Sequence, residues 1–167
     1  MDGVSIRPAV PGDLARITEI YNAYVIDTAI TFDVAPYTVE ARREWLAQFD
    51  TTGPYRLLVA CAGERLVGYA GTMRFRPKAA YHTSVETTIY LEPGAQRRGL
   101  GARLYAALFD ALSGENVHRA YAGVTLPNDG SVALHERMGF TRVGVYTEVG
   151  HKLERYWDVL WLEKKLG

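Results

Sequence analysis

The apolar positions of this 167-residue chain change period several times, and each change marks an element. Ser5-Ile6-Arg7-Pro8 reads as a short strand, and Pro8, which has no backbone N–H, suits it to a sheet edge. Asp13 then offers an N-cap. Leu14, Ile17, Ile20, Tyr21, Tyr24 and Val25 recur at spacings of three and four, which predicts a helix over 13–26 with one apolar face. Residues 27–37 hold no period and contain Pro36, so they read as a loop. Thr38 caps a second predicted helix that turns Trp45, Leu46 and Phe49 inward and ends at Gly53-Pro54.

From residue 55 the pattern becomes β-rich. Leu57-Leu58-Val59-Ala60, the turn residues Ala62-Gly63-Glu64 and Leu66-Val67-Gly68-Tyr69-Ala70 predict an antiparallel hairpin. A third strand covers 83–91 and stops at Glu92-Pro93-Gly94, after which Leu100, Leu104, Leu108 and Leu112 form one stripe of a helix over 99–113. A strand at 120–124, a helix at 131–138 ended by Gly139, and strands at 143–149 and 156–163 complete the order. No repeat, low-complexity tract or linker interrupts it, which fits one α+β layered domain over 1–167.

Charge narrows the function. Nineteen Lys and Arg balance nineteen Asp and Glu, so a whole-surface grip on nucleic acid is excluded and any charge-driven binding is local. No apolar run approaches the roughly 18 residues of a spanning helix, and residues 1–8 lack the basic and apolar regions of a signal peptide. The expectation is a soluble, cytoplasmic protein with no membrane partner. Cys61 is the only cysteine, which excludes an intramolecular disulfide and a multi-cysteine zinc site. The four histidines, His82, His118, His135 and His151, show no paired ligand spacing, so no metal is expected.

The local charge sits at Gln96-Arg97-Arg98-Gly99-Leu100-Gly101, between a strand and an amphipathic helix. A helix N-terminus presents unsatisfied N–H groups and a partial positive charge, which attract a phosphate. Gly99 and Gly101 allow close backbone approach, and Arg97 and Arg98 add charge, so the local physics implies a small polyphosphate ligand. The alternative is a glycine-rich helix start with solvated arginines. The segment is neither a Walker loop nor a dinucleotide fingerprint, because it has no Gly-Lys-Ser/Thr and no Gly-x-Gly-x-x-Gly.

This loop resembles the acetyl-CoA pyrophosphate motif of the GNAT N-acetyltransferase superfamily, Gln/Arg-x-x-Gly-x-Gly/Ala. Ile6-Arg7-Pro8-Ala9, Ile20-Tyr21-Asn22, Thr31-Phe32, Ala79-Ala80-Tyr81, Val85-Glu86, Leu126-Pro127-Asn128-Asp129 and Leu134-His135-Glu136 are together similar to the phosphinothricin and methionine sulfoximine acetyltransferase branch. The resemblance implies an α+β GNAT fold, a mixed, mostly antiparallel splayed sheet flanked by helices, with the pantetheine arm of acetyl-CoA in the gap. It assigns the backbone around Thr88, Ile89 and Leu91 to that arm, Gln96, Arg97, Arg98, Gly99, Leu100 and Gly101 to the pyrophosphate, and Asn128 to a further cofactor contact. Asn128 also reads as a helix cap. Members of the branch are commonly homodimers, and Tyr156, Trp157 and Trp161 offer either an interface patch or core.

Acetyl transfer to an amine needs a proton acceptor and a donor to the departing thiolate. Alternation along 83–91 puts Ser84, Glu86, Thr88 and Tyr90 on one face and Val85, Thr87, Ile89 and Leu91 on the other, a parity that suits Glu86 to a cleft as general base. An exposed strand carboxylate is the alternative. The resemblance makes His135 the donor to the thiolate or a contact residue; a helix histidine satisfied by its neighbours remains open. Cys61, inside an apolar run, reads as a buried structural thiol, so direct transfer is expected over an enzyme thioester.

Arginines near Arg74-Phe75-Arg76-Pro77 can clamp a carboxylate, or simply be solvated. By the resemblance, Phe32, Arg74, Phe75, Arg76 and Val85 surround the acceptor, a small amino-acid-like amine such as phosphinothricin or methionine sulfoximine. Ala122-Gly123-Val124-Thr125-Leu126-Pro127-Asn128 departs from the branch's usual Val-Ile-Gly-x-x-Asn, and 150–158 carries bulkier charged residues than its usual glycine-rich stretch. Both changes bear on the acceptor pocket. A peptide, polyamine or aminoglycoside acceptor, or a non-catalytic acyl-CoA sensor, are the competing readings, and the presence of both Glu86 and His135 counts against the last.

Overall fold

The computed structural model describes residues 3–95 and 99–167. Seven strands, β1 (Val4–Pro8), β2 (Leu57–Ala62), β3 (Arg65–Arg74), β4 (Ser84–Leu91), β5 (Arg119–Thr125), β6 (Thr141–Lys152) and β7 (Arg155–Lys165), form one sheet in the order β1-β2-β3-β4-β5-β7-β6. Among the described strand pairs only the central β4–β5 pair is parallel. The helices are α1 (Leu14–Asp27), α2 (Arg43–Leu46), α3 (Leu100–Ala111) and α4 (Asp129–Arg137).

β2 shows why its apolar run is unbroken. Leu57, Val59 and Cys61 pack with Ile17 and Ile20 of α1, while Leu58 and Ala60 pack with Leu100, Leu104 and Leu108 of α3. A strand covered on both faces has no polar position to spare. Cys61 is buried in the first of these clusters, as a structural thiol should be. α1 and α2 therefore cover one face, and α3 the other. β1 is an edge strand, so Pro8 costs no ladder hydrogen bond.

Two segments differ from the sequence expectation. The second helix shrinks to a 3₁₀ turn, Glu40–Arg42, and the single turn of α2. Thr38 still caps it, its hydroxyl accepting from the Ala41 N–H at 3.1 Å, but the next bonds, Gln48 to Trp45 and Phe49 to Leu46, span three residues and unwind it. β6 is longer than expected, with a register break between Tyr146 and Gly150. Its hairpin turns at Leu153 and Glu154, both in the left-handed region at φ 53° and 58°.

The splay is the feature that matters. β4 and β5 pair only from Ser84↔Arg119 to Glu86↔Tyr121, while β5 continues to Thr125 against β7. From Thr87 onward β4 thus has an unpaired edge toward β5, an opening through the middle of the sheet among the described residues.

Candidate active site

A cavity of about 610 Å³ passes through this opening. Its walls are Thr87, Thr88, Ile89 and Tyr90 of β4 and Ala122, Gly123, Val124 and Thr125 of β5. Glu86, Arg76, Phe32 and Arg42 line the α1–α2 side, and Tyr105, Asn128 and His135 the α3–α4 side. The alternation along β4 makes this possible: Tyr90 packs beside Tyr24 and Trp45, whereas Thr87 Oγ1 lies 3.3 Å from the Tyr105 hydroxyl on the opposite face.

Glu86 is partly buried, and burial raises its carboxyl above the usual glutamate value, partly offset by the positive charge of Arg76. Met73 is its cross-strand neighbour on β3. A carboxylate held in a cavity at raised proton affinity is a competent base for an amine.

His135 lines the cavity with both ring nitrogens engaged by neighbours. It is 3% exposed, and its Nδ1 lies 2.7 Å from the Ser131 carbonyl, which can only accept, so Nδ1 carries the hydrogen. In the neutral ring Nε2 then accepts from the Tyr105 hydroxyl at 2.8 Å. Burial lowers the proton affinity of the imidazole, with the Ser131 bond acting in the other direction. Thr87, Tyr105, His135 and Ser131 thus form a hydrogen-bonded row across the cavity wall. Tyr105 was not singled out in the sequence; the legible signal is a phenol flanking the leucine stripe of α3.

Several expected site residues come together at the cavity: Phe32, Arg76, Glu86, Thr88, Ile89, Asn128 and His135. Asn128 also caps α4, its Oδ1 accepting from the Ser131 N–H at 3.2 Å. Others lie elsewhere. Val85 is fully buried in the core under α4, so its side chain cannot touch an acceptor. The Arg74 guanidinium donates to the carbonyls of Arg76 and Pro77, which spends it on its own turn instead of a carboxylate clamp. Phe75 stacks on Tyr121, ring centroids 4.3 Å apart, beside Arg76. Leu91 is part of the α3 core, and its carbonyl accepts from Tyr24. Gln96, Arg97 and Arg98 lie outside the described residues.

Gly99 and Gly101 have separate reasons. Gly99 precedes α3 at φ 72° with open space around it. Gly101 sits under α4, where a Cβ would meet Leu134 Cδ2 at 2.8 Å and Ile89 Cδ1 at 3.6 Å. The close approach of α4 by itself requires glycine here, a reason the local sequence pattern did not show. Leu100 is buried in the α3 core.

A family model described as an acetyltransferase (GNAT) domain matches residues 6–161. The chain belongs to the GNAT acetyltransferases. A phosphinothricin N-acetyltransferase of Streptomyces coelicolor is 54% identical over 98% of this chain and 96% of its own length. An L-methionine sulfoximine/L-methionine sulfone acetyltransferase of Pseudomonas aeruginosa is 33% identical over 97% of this chain and 94% of its own. The yncA protein of Salmonella typhimurium, solved with acetyl-CoA as its cofactor, superposes with a TM-score of 0.93 at 30% identity, covering 99% of this chain and 95% of that one. The GNAT chain described here is an acetyl-CoA-dependent N-acetyltransferase, and the unpaired edge of β4 fits the acetyl donor, since free backbone groups at a strand edge can hold the amides of an extended arm. Among the described residues no helix is long and apolar enough to cross a membrane.

Proposed function

We propose that this GNAT enzyme acetylates the α-amine of a small amino acid bearing an oxygen-rich side chain, of the phosphinothricin and methionine sulfoximine type. The observation that carries the reading is the pairing of Glu86 with Arg76 at one wall of the cavity, a base and a carboxylate partner within electrostatic reach of each other. Arg76 binds the acceptor carboxylate and so holds the amine beside Glu86, which takes up the amine proton directly or through one water. On the opposite face the Tyr105 hydroxyl, held between His135 and Thr87, turns its one hydrogen from His135 Nε2 to the departing thiolate. Acetyl-CoA supplies the activated acyl group from the β4–β5 opening. Two arginines in the cavity wall, Arg42 and Arg76, count against a polycationic acceptor.

The enzyme acts as a cytoplasmic homodimer in this proposal. Val143, Val145, Tyr146 and Val149 of the outer strand β6 are each about half exposed or more, a row of apolar side chains that a second copy would cover. Light scattering on the purified protein reads the mass directly; a monomer at micromolar concentration rejects this part.

The activity is tested by incubating the protein with acetyl-CoA and phosphinothricin, methionine sulfoximine, methionine sulfone, spermidine or a short peptide, and following free thiol. Thiol release with the amino acids is expected. Release with spermidine or peptide alone would reject the acceptor class.

A further inference from the structure

Three buried side-chain donors among the described residues have no hydrogen-bond partner: Arg42 Nη1, the Tyr69 hydroxyl and Trp161 Nε1. Buried polar groups left unsatisfied are few in native proteins, and each calls for a reason. Here all three line the same cavity.

They fall at its two ends. Trp161 lies with Arg76, whose guanidinium carbon is 5.8 Å from the indole centroid, beside Glu86. Arg42 and Tyr69 lie at the Tyr90 end: Arg42 sits 4.4 Å over the Tyr21 ring, and the Tyr21 and Tyr69 rings are 5.0 and 5.6 Å from Tyr90. Glu86 and Tyr90 are four residues apart on one strand, about 13 Å at a strand's rise per residue. One α-carboxylate cannot serve both ends.

The Arg42 end is built for an anion. Arg42 is 5% exposed, its faces are covered by Tyr21 and, at 3.9 Å, by Trp45, and only its edge is left to donate. None of the ion pairs between described residues includes it. The nearby Asp33 carboxylate accepts instead from the Tyr21 and Tyr37 hydroxyls and acts on the buried Lys152 ammonium, which donates to the Thr31 carbonyl. Arg42 and Lys152 against Asp33 leave one positive charge uncompensated. The Tyr69 hydroxyl lies in the field of Arg42. Were Arg42 to donate to the phenol oxygen, the phenol hydrogen would still lack an acceptor.

We propose that Arg42 and Tyr69 form a tail subsite, binding an anionic oxygen group at the end of the acceptor's side chain, such as a phosphinate or carboxylate. Arg76 and Trp161 then take the α-carboxylate at the other end. The inference rests on the amino-acid acceptor proposed above and adds which residues select its tail. A water molecule in the subsite satisfies two donors but leaves the excess charge, whereas an anionic oxygen pair answers both.

The test compares phosphinothricin with norleucine, a matched acceptor whose tail carries no oxygen, in the wild-type enzyme and in Arg42→Gln and Tyr69→Phe, by steady-state kinetics. In Arg42→Gln the KM for phosphinothricin rises about 10- to 100-fold, the range for losing a hydrogen bond to a charged group, while kcat and the KM for norleucine and acetyl-CoA change little. Tyr69→Phe keeps the ring and lowers the preference for phosphinothricin about 5-fold, so the inference stays testable if Arg42→Gln does not fold. An equal rise for both acceptors means a structural role and overturns the subsite, as does an unchanged preference in both variants. Turnover of amino acids by the wild type with no preference for phosphinothricin overturns the subsite alone. No turnover of any amino acid overturns the acceptor reading and the subsite with it.

Discussion

The Phe32 ring lies on the backbone of Gly150 so closely that a Cβ added there would sit 2.2 Å from two ring carbons. This contact joins the loop after α1 to β6, and Lys152 fastens the same loop two residues on, donating to the Thr31 carbonyl at 2.8 Å. The β6–β7 hairpin thereby sets one wall of the acceptor side. In Gly150→Ala the ring, which is 36% exposed, swings outward instead of straining the backbone. The expected result is a stability loss of no more than about 1 kcal/mol, typical of a surface rearrangement, with a several-fold rise in acceptor KM and an unchanged acetyl-CoA KM. A rise in both KM values would place Phe32 outside the acceptor wall.

Gly99 and Gly101 separate by the kind of cost they carry. Gly101→Ala pushes a methyl into Leu134 and Ile89, and overpacking of a buried helix contact costs about 1–3 kcal/mol. Gly99→Ala meets open space, and its cost is the left-handed backbone alone, about 1 kcal/mol. Thermal or denaturant unfolding of the two variants orders them, with Gly101→Ala the less stable. The reverse order would mean that α4 yields more readily than its packing suggests.

The order of elements along the chain, the β2–β3 hairpin and the strand-loop-helix at the centre were readable because period-two and period-3.6 patterns are local. Glu86 was readable for the same reason, since strand parity alone decides which face it shares with Thr88 and Tyr90. Arg74 and Val85 were not: a turn carbonyl claims the first and the α4 core the second, and neither partner is visible in the local pattern. Arg42 was within reach. It stands three residues before Trp45 and seven before Phe49, so an arginine occupies the apolar stripe of the predicted second helix, a position at odds with a solvated charge. Tyr105 was hidden because its hydroxyl partners, Thr87 and His135, come from two other elements.

The Tyr105–His135 bond gives a prediction that parts structure from catalysis. Tyr105→Phe leaves His135 Nε2 buried without a donor, which costs about 1–3 kcal/mol of stability. If the hydroxyl also serves the departing thiolate, kcat falls at saturating substrates, and a donor with a better leaving thiol recovers part of the loss. A lower melting temperature with unchanged kcat would confine the pair to a structural role. The pH dependence of stability has a definite sign. His135 binds a proton less readily folded than unfolded, so its contribution is complete above the unfolded value near 6.5 and is lost as pH falls through the lower folded value. His135→Gln flattens that acid limb.

Glu86 should act in opposite directions on rate and on stability. Burial raises its proton affinity in the folded protein, so the carboxylate needed as a base forms only as pH rises past the usual value of 4.5, and turnover climbs with it. In Glu86→Gln that limb disappears and kcat drops about 10²–10⁴-fold, the range for losing a general base, while acetyl-CoA affinity holds. Stability runs the other way. With the folded value above the unfolded one, the favourable contribution is complete below 4.5 and is lost as pH rises through the folded value, where the buried carboxylate ionises. Glu86→Gln is therefore expected to melt at a higher temperature than the wild type at pH 7, with the difference closing below pH 4.5. A variant that is slower and no more stable would mean that Arg76 fully offsets the burial of Glu86, and a variant with unchanged kcat and pH–rate profile would remove Glu86 from the role of base.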